Sequence, residues 1–229
     1  MLRLGTFYFA LTIPQLFAQY YDTVRDGVIN NRFGAPFADY TTPEYSKYDK
    51  ITAKKWESCR GLGFSFGYNQ VEGPEQVITP DKLVALLVDI VSKNGNLLLN
   101  VGPKSNGTIS EIQMDRLHKL GSWLDVNGEA IFGSRPWVRP SSAAPDGTDV
   151  RFTRKGDSLY VVFLGRPAGN GLTVPSVRAA AGTVVRILPG STKASISHRG
   201  KDLLIETQGS LPTSYALAAK ITPPPTSLT

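Results

Sequence analysis

Apolar residues in the first half of the chain fall into helical spacing three times, with polar or glycine-rich breaks between. Ile13–Thr23 carries Pro14 in its first turn and repeats Leu16, Phe17, Tyr20 and Tyr21, which predicts a helix ended by Gly27. Thr79-Pro80-Asp81 is a second helix start, with Thr79 as N-cap and Pro80 at the first helical position. Leu83, Leu86, Leu87, Ile90 and Val91 form its apolar stripe, and Asn94-Gly95 closes it. Ser110 caps a third helix, running to about residue 124, with Met114, Leu117, Leu120 and Trp123 on one face. Between these lie strand candidates at 28–32, 56–65 and 96–101. The last of them, NLLLNV, is an unbroken apolar run of the kind buried in parallel sheets. Residues 33–55 hold no period and predict a long loop, which in a compact domain is usually functional. Strands alternating with helices predict an α/β arrangement with parallel strands and crossover helices.

After Arg135-Pro136-Trp137 the pattern changes to short strands alone, at 149–154, 158–163, 171–174, 183–187, 193–198, 202–207 and 214–220, separated by Gly and Pro. That predicts an antiparallel sandwich. The fold class expected is therefore α/β plus all-β: a partial barrel-like unit over residues 1–137, a sandwich over 138–222 and a disordered tail at 223–229.

Composition narrows this little. Hydrophobic residues make 41% and charged residues 19%, values of a globular chain and not a disordered one. The net charge of +6 raises nucleic acid as a partner, but no basic run exceeds Lys54-Lys55, so the charge reads as a solvated surface and nucleic-acid binding is rejected. One cysteine, Cys59, excludes an internal disulfide and any multi-cysteine metal site. Two histidines far apart in sequence, His118 and His198, argue against a histidine metal centre. Residues 1–18 resemble a signal peptide, but Pro14 and Gln15 interrupt the apolar core, which favours a structural segment leading into a helix. The stretch is too short to span a membrane.

Several ordered motifs then stand out: NNRFG at 30–34, the TTPEY element at 41–45, WESC at 56–59, SFGYN at 65–69, VSKNGNLLLNVGP at 91–103 and NGEAIFGSRPW at 127–137. Together they closely resemble the C-terminal half of the catalytic barrel of the α-L-fucosidases, over roughly residues 15–137, and more loosely the family's β-sandwich beyond. The resemblance implies a (β/α) TIM-like barrel followed by a sandwich, and removal of terminal α-L-fucose from glycans with retention of configuration. A retaining glycosidase uses two carboxyl groups about 5–5.5 Å apart, one as nucleophile and one as acid/base. It implies no metal and no cofactor.

By the same resemblance Glu44 is the general acid/base. An acid catalyst needs its pKa raised, and Phe37, Tyr40 and Tyr45 are the rings expected to bury it; without the resemblance Glu44 reads as a solvated loop residue. Arg32 matches a sugar-contacting arginine, with a salt bridge to Asp39 or Glu57 as the simpler account. Phe66 matches the aromatic residue that packs on the fucose methyl group, with plain core packing as the alternative. Glu57 either orients the site or pairs with Arg32 or Arg60. Trp56, Tyr68 and Asn69 are expected along the pocket. Cys59 reads as a packed thiol, and Asn106-Gly107-Thr108 as a tight turn rather than a glycosylation site.

The chain departs from the family pattern in one respect. The family's nucleophilic aspartate precedes the helix that holds LFAQYY here, and no acidic residue occurs before Asp22. The earlier strands are missing as well, since a complete barrel takes about 250 residues. Three outcomes are expected: an inactive fragment serving sugar binding or assembly, a homo-oligomer whose second copy covers the open barrel edge and supplies a carboxylate, or a local substitute among Asp22, Asp26 and Asp39, with Asp39 the best placed because it shares the loop with Glu44. Family members are often secreted or periplasmic; the compartment of this chain is left open.

Overall fold

The computed structural model describes residues 12–34, 37–165, 167, 171–190 and 192–228. The first helix, α1 (Ile13–Thr23), matches the predicted span. Thr12 caps it, its backbone N–H and hydroxyl both reaching Gln15 Oε1 at 2.9 Å. The segment expected as a strand at 28–32 is not one. Asn30 makes a single parallel bridge to Tyr40, and Asn31–Phe33 then winds into one 3-10 turn. The reason is local: the Asn30 side chain accepts from Arg32 N–H at 3.0 Å, a competing partner that diverts the backbone from a ladder. Gly34, at φ 64, ends the turn in the left-handed region.

The loop that follows lies along strand β1 (Trp56–Gly61) through parallel bridges at Thr41–Trp56 and Glu44–Cys59. Helix α2 (Pro80–Ser92) then crosses over to β2 (Gly95–Asn100), which pairs parallel with β1 in the register Cys59–Leu98. Asn94, at φ 74, turns the chain between them. Gly95 is needed there, because a Cβ would lie 2.5 Å from the Trp56 ring. Helix α3 (Glu111–Asn127) follows. Thr79 and Ser110 occupy the expected cap positions of α2 and α3, but neither makes a side-chain cap bond.

The apolar stripe of α2 is wider than its periodicity predicts. Leu83, Val84, Val88 and Ile90 are its buried apolar positions, while Leu86, Leu87 and Val91 are only partly buried. The helix is packed on two sides, against β2 and against the sheet behind it, so one stripe does not describe it. The run at β2 is likewise not buried throughout: Leu97 and Leu99 pack on the helices, while Leu98 on the opposite face is 49% exposed.

Behind the helices stands the sandwich. Strands β3 (Arg135–Ala143), β4 (Asp149–Lys155), β5 (Ser158–Leu164), β6 (Gly171–Val174), β7 (Val177–Arg178), β8 (Val184–Ile187), β9 (Thr192–Arg199), β10 (Asp202–Thr207) and β11 (Ala216–Thr222) follow in sequence. The main sheet runs β3-β4-β5-β11-β8-β9-β10-β6, with antiparallel neighbours. Strand β9 pairs β8 at its start and β10 along the rest, so it forms the corner between the two layers. Strand β5 is buried on both faces. Leu159, Val161 and Phe163 join the sandwich interior, whereas Tyr160 and Val162 join the core shared with α2 and α3. Strand β3 was not expected; its two prolines and a register shift after Pro136 hide its alternation. The tail expected to be disordered is instead placed in part. Strand β12 (Thr226–Ser227) pairs with β7, and Leu228 N–H reaches Ser176 O at 2.9 Å.

Candidate active site

The NNRFG and TTPEY motifs dock on each other. Asn31 Oδ1 accepts from Thr42 N–H at 3.0 Å and from its hydroxyl at 3.2 Å. Arg32, leaving the 3-10 turn, spreads its guanidinium over the same segment. Nε donates to Thr42 Oγ1 at 2.7 Å, Nη2 to Thr42 O at 3.0 Å and Nη1 to Glu44 Oε1 at 2.5 Å. A planar fork fixed at three acceptors leaves the Glu44 carboxylate little freedom. Arg32 therefore pairs with Glu44, not with Asp39 or Glu57. The backbone of Glu44 is held independently: Cys59 N–H donates to Pro43 O and Tyr45 N–H to Cys59 O, both at 3.0 Å. Tyr45 adopts φ 49, an uncommon conformation for a residue with a side chain. Its hydroxyl accepts from Gly61 N–H at 3.1 Å, and its ring meets Phe66 edge-on at 5.2 Å.

A cavity of about 390 Å³ opens here, lined by Asn30, Arg32, Thr42, Glu44, Glu57, Cys59, Phe66 and Leu98. Strand alternation puts Glu57 and Cys59 on this face, with Leu98 beside them. Phe66 is held by its carbonyl, which accepts from Asn100 Nδ2 at 2.5 Å. Its loop packs closely: a Cβ on Gly102 would lie 2.6 Å from the backbone of Gly67. Burial, then the nearby Glu44 charge, pushes the Cys59 thiol up, which keeps it protonated and speaks against a nucleophilic role.

The structure thus brings Arg32, Glu44, Glu57 and Phe66 together and separates the other expected residues. Trp56 is 1% exposed, its Nε1 donating to Lys93 O at 3.1 Å, and is closed to a sugar. Tyr68 is exposed outside the cavity wall, and Asn69 shapes the adjacent turn through Val71 N–H at 3.2 Å. The ring cage expected around Glu44 is not formed: Phe37 is 77% exposed and Tyr40 lies outside the wall. Asp39 is turned away, accepting from Tyr21 Oη at 2.5 Å and Ile29 N–H at 2.7 Å. Arg60 donates to Gly61 O at 2.9 Å and stacks over Tyr45. Thr42, Asn30 and Leu98 were not anticipated. Thr42 was legible as the second polar residue of TTPEY; Leu98 was hidden in a run that reads as core. Asn106 Oδ1 accepts from Thr108 N–H at 3.1 Å and Gly107 stands at φ 82, so this triplet is a tight turn.

The alpha-L-fucosidase family model matches residues 9–129. The chain belongs to the alpha-L-fucosidase family. It is 33% identical over 207 residues to the tissue alpha-L-fucosidase of Macaca fascicularis, covering 85% of this chain and 44% of that protein. To the alpha-L-fucosidase of Dictyostelium discoideum it is 32% identical, covering 76% of this chain and 42% of that one. Among solved structures it resembles the alpha-fucosidase of Thermotoga maritima in complex with a mechanism-based inhibitor, at TM-score 0.82 and 43% identity, over 90% of this chain and 48% of that one. The same enzyme in complex with fucose matches at TM-score 0.79 and 42% identity. The chain spans less than half the length of these relatives. Its partial barrel and sandwich are those of the solved fucosidases.

Proposed function

We propose that the cavity between the Glu44 loop and β1 is part of an α-L-fucosidase site working by the retaining, two-carboxylate mechanism. The Arg32–Glu44 pair at 2.5 Å, on a cavity wall shared with Phe66, carries this reading. Glu44 is the acid/base: it protonates the leaving glycosidic oxygen, then takes a proton from the attacking water. Arg32 aims it and donates to sugar hydroxyls. Phe66 offers an apolar ring to the methyl group of fucose, where galactose would bring a hydroxyl. Glu57 orients substrate from β1. The ligand class is a fucoside or a fucosylated glycan. Among the described residues the carboxylates on the wall are Glu44 and Glu57, and Asp39 is occupied elsewhere. We therefore assign the nucleophile to a carboxylate brought to this wall from elsewhere, in the same molecule or a second copy.

Hydrolysis of 4-nitrophenyl α-L-fucopyranoside tests this, with Glu44→Ala as control. Turnover that falls by about 10² or more in the variant supports the assignment; undiminished turnover sinks it. A second reading, sugar binding or assembly without turnover, draws on the open inner face at Leu98. A folded chain that binds fucose but never turns over, or whose sedimentation shows a dimer through that face, would favour it.

A further inference from the structure

Asp89 is a buried carboxylate with no part in the proposed chemistry, and three parts of the molecule meet at it. It lies on α2 at 3% exposure. Lys93 Nζ donates to its two oxygens at 2.8 and 2.7 Å, Arg151 Nε reaches it from β4 at 2.7 Å, and Lys47 Nζ approaches from the long loop at 3.8 Å. Burial raises its pKa, but the hydrogen bonds from Lys93 and Arg151 outweigh that and hold the carboxyl below the ordinary range.

Lys93 carries the connection onward. With its side chain folded back on Asp89, its backbone carbonyl accepts from Thr52 N–H and Thr52 Oγ1, both at 3.3 Å, and from Trp56 Nε1 at 3.1 Å. Asn94 Nδ2 donates to Thr52 O at 2.9 Å. Ser58 Oγ donates to Ser46 O at 2.8 Å, so the loop is fastened on both sides of Lys47. The upstream end of this stretch is Glu44.

We infer, building on the role proposed for Glu44, that Asp89 is a positioning residue for the loop that carries it, and that Arg151 makes the sandwich a working part of the site. A desolvated carboxylate must keep its cations. Arg151 therefore fixes where Asp89 lies, Asp89 fixes Lys93, and Lys93 fixes Thr52 and Trp56. The loop is held from behind by a different layer of the molecule.

Amide hydrogen exchange in the full chain, with Arg151→Met, Arg151→Lys and Lys47→Ala, tests this. Arg151→Met should speed exchange at the Thr52 and Tyr45 amides about tenfold while amides pairing β5 with β11 keep their protection. Arg151→Lys should restore most of the protection. Lys47→Ala, which removes only the exposed arm, should act in the same direction and less. In the fucoside assay Arg151→Met should lower kcat about tenfold with KM unchanged, recovering in Arg151→Lys. Unchanged exchange at Tyr45, or equal acceleration through the whole chain, would overturn the clamp. No turnover from the wild-type chain would overturn the role of Glu44, and exchange at Tyr45 would still separate a clamp from a bystander.

Discussion

The sandwich and the barrel segment use similar apolar strands and treat them differently. In the sandwich, Val150, Phe152, Val161, Ile187, Leu203 and Ile205 from facing strands meet in one interior and are fully buried. In the barrel segment, among the described residues, only the helix-facing side of β1 and β2 is covered; the other side presents Glu57, Cys59 and a half-exposed Leu98 to the cavity. Stability therefore resides in the sandwich and the helix layer, and the proposed chemistry on the face that packing leaves alone. Substitution should expose the contrast. Phe152→Ala is expected to cost about 3–5 kcal/mol, and Leu98→Ala under about 1 kcal/mol. Urea unfolding of both variants measures this. A Leu98 variant as damaging as the Phe152 one would show that the inner face is covered after all.

The seam between the regions should rank next. Asp89→Asn leaves Lys93 and Arg151 facing a neutral group in a buried place, and is expected to cost about 3 kcal/mol at neutral pH. Because the folded pKa of Asp89 lies below the ordinary carboxylate range, its contribution is complete above the unfolded value. It is lost as pH falls through the folded one. The gap between wild type and variant should therefore begin to narrow only once pH falls below the ordinary aspartate value of about 3.9. A gap that stays constant from neutral to acid would mean that the charge of Asp89 contributes nothing.

Below that comes the site itself. Arg32 and Glu44 are each nearly half exposed, so Arg32→Lys should change unfolding stability by less than about 1 kcal/mol. It removes the fork that reaches Thr42 and Glu44 at once, and turnover should fall with little change in melting temperature. Equal turnover in the lysine variant would show that a point charge is enough there.

What was legible in the sequence follows the same divide. Helix α1, the starts and ends of β6 and β10, and the turn at Asn94 that follows α2 were readable because each depends on local spacing or a turn residue. The double-sided burial of α2 and the open face of β2 were not, because the neighbours that decide them are distant in sequence. Strand β3 was masked by Pro136 and Pro140, and the bridge at Asn30 by side chains that compete with the ladder. At the site, Arg32, Glu44 and Phe66 were found through ordered motifs. Thr42, which holds Arg32, and Asp89, which holds the loop, are ordinary polar residues until the fold brings their partners to them.

The smallest effect concerns Asp39, which the sequence places beside Glu44 and the structure turns towards α1. Its bond to Tyr21 is the first cause of both shifts: the carboxyl is held below its ordinary range, and the phenol is pushed up to about 12. A raised phenol pKa favours the folded state below the unfolded tyrosine value, and that advantage disappears as pH rises through the folded one. An ultraviolet titration should therefore find one tyrosine near 12 in the wild type, returning towards about 10 in Asp39→Asn. The pair lies at the surface, so little stability should change with it. A Tyr21 that titrates normally would mean that the Asp39 carboxylate is free to turn towards the cavity, and the substitute nucleophile would return to consideration. The expected titration, joined to undiminished turnover in Asp39→Ala, would confine Asp39 to joining α1 to the loop.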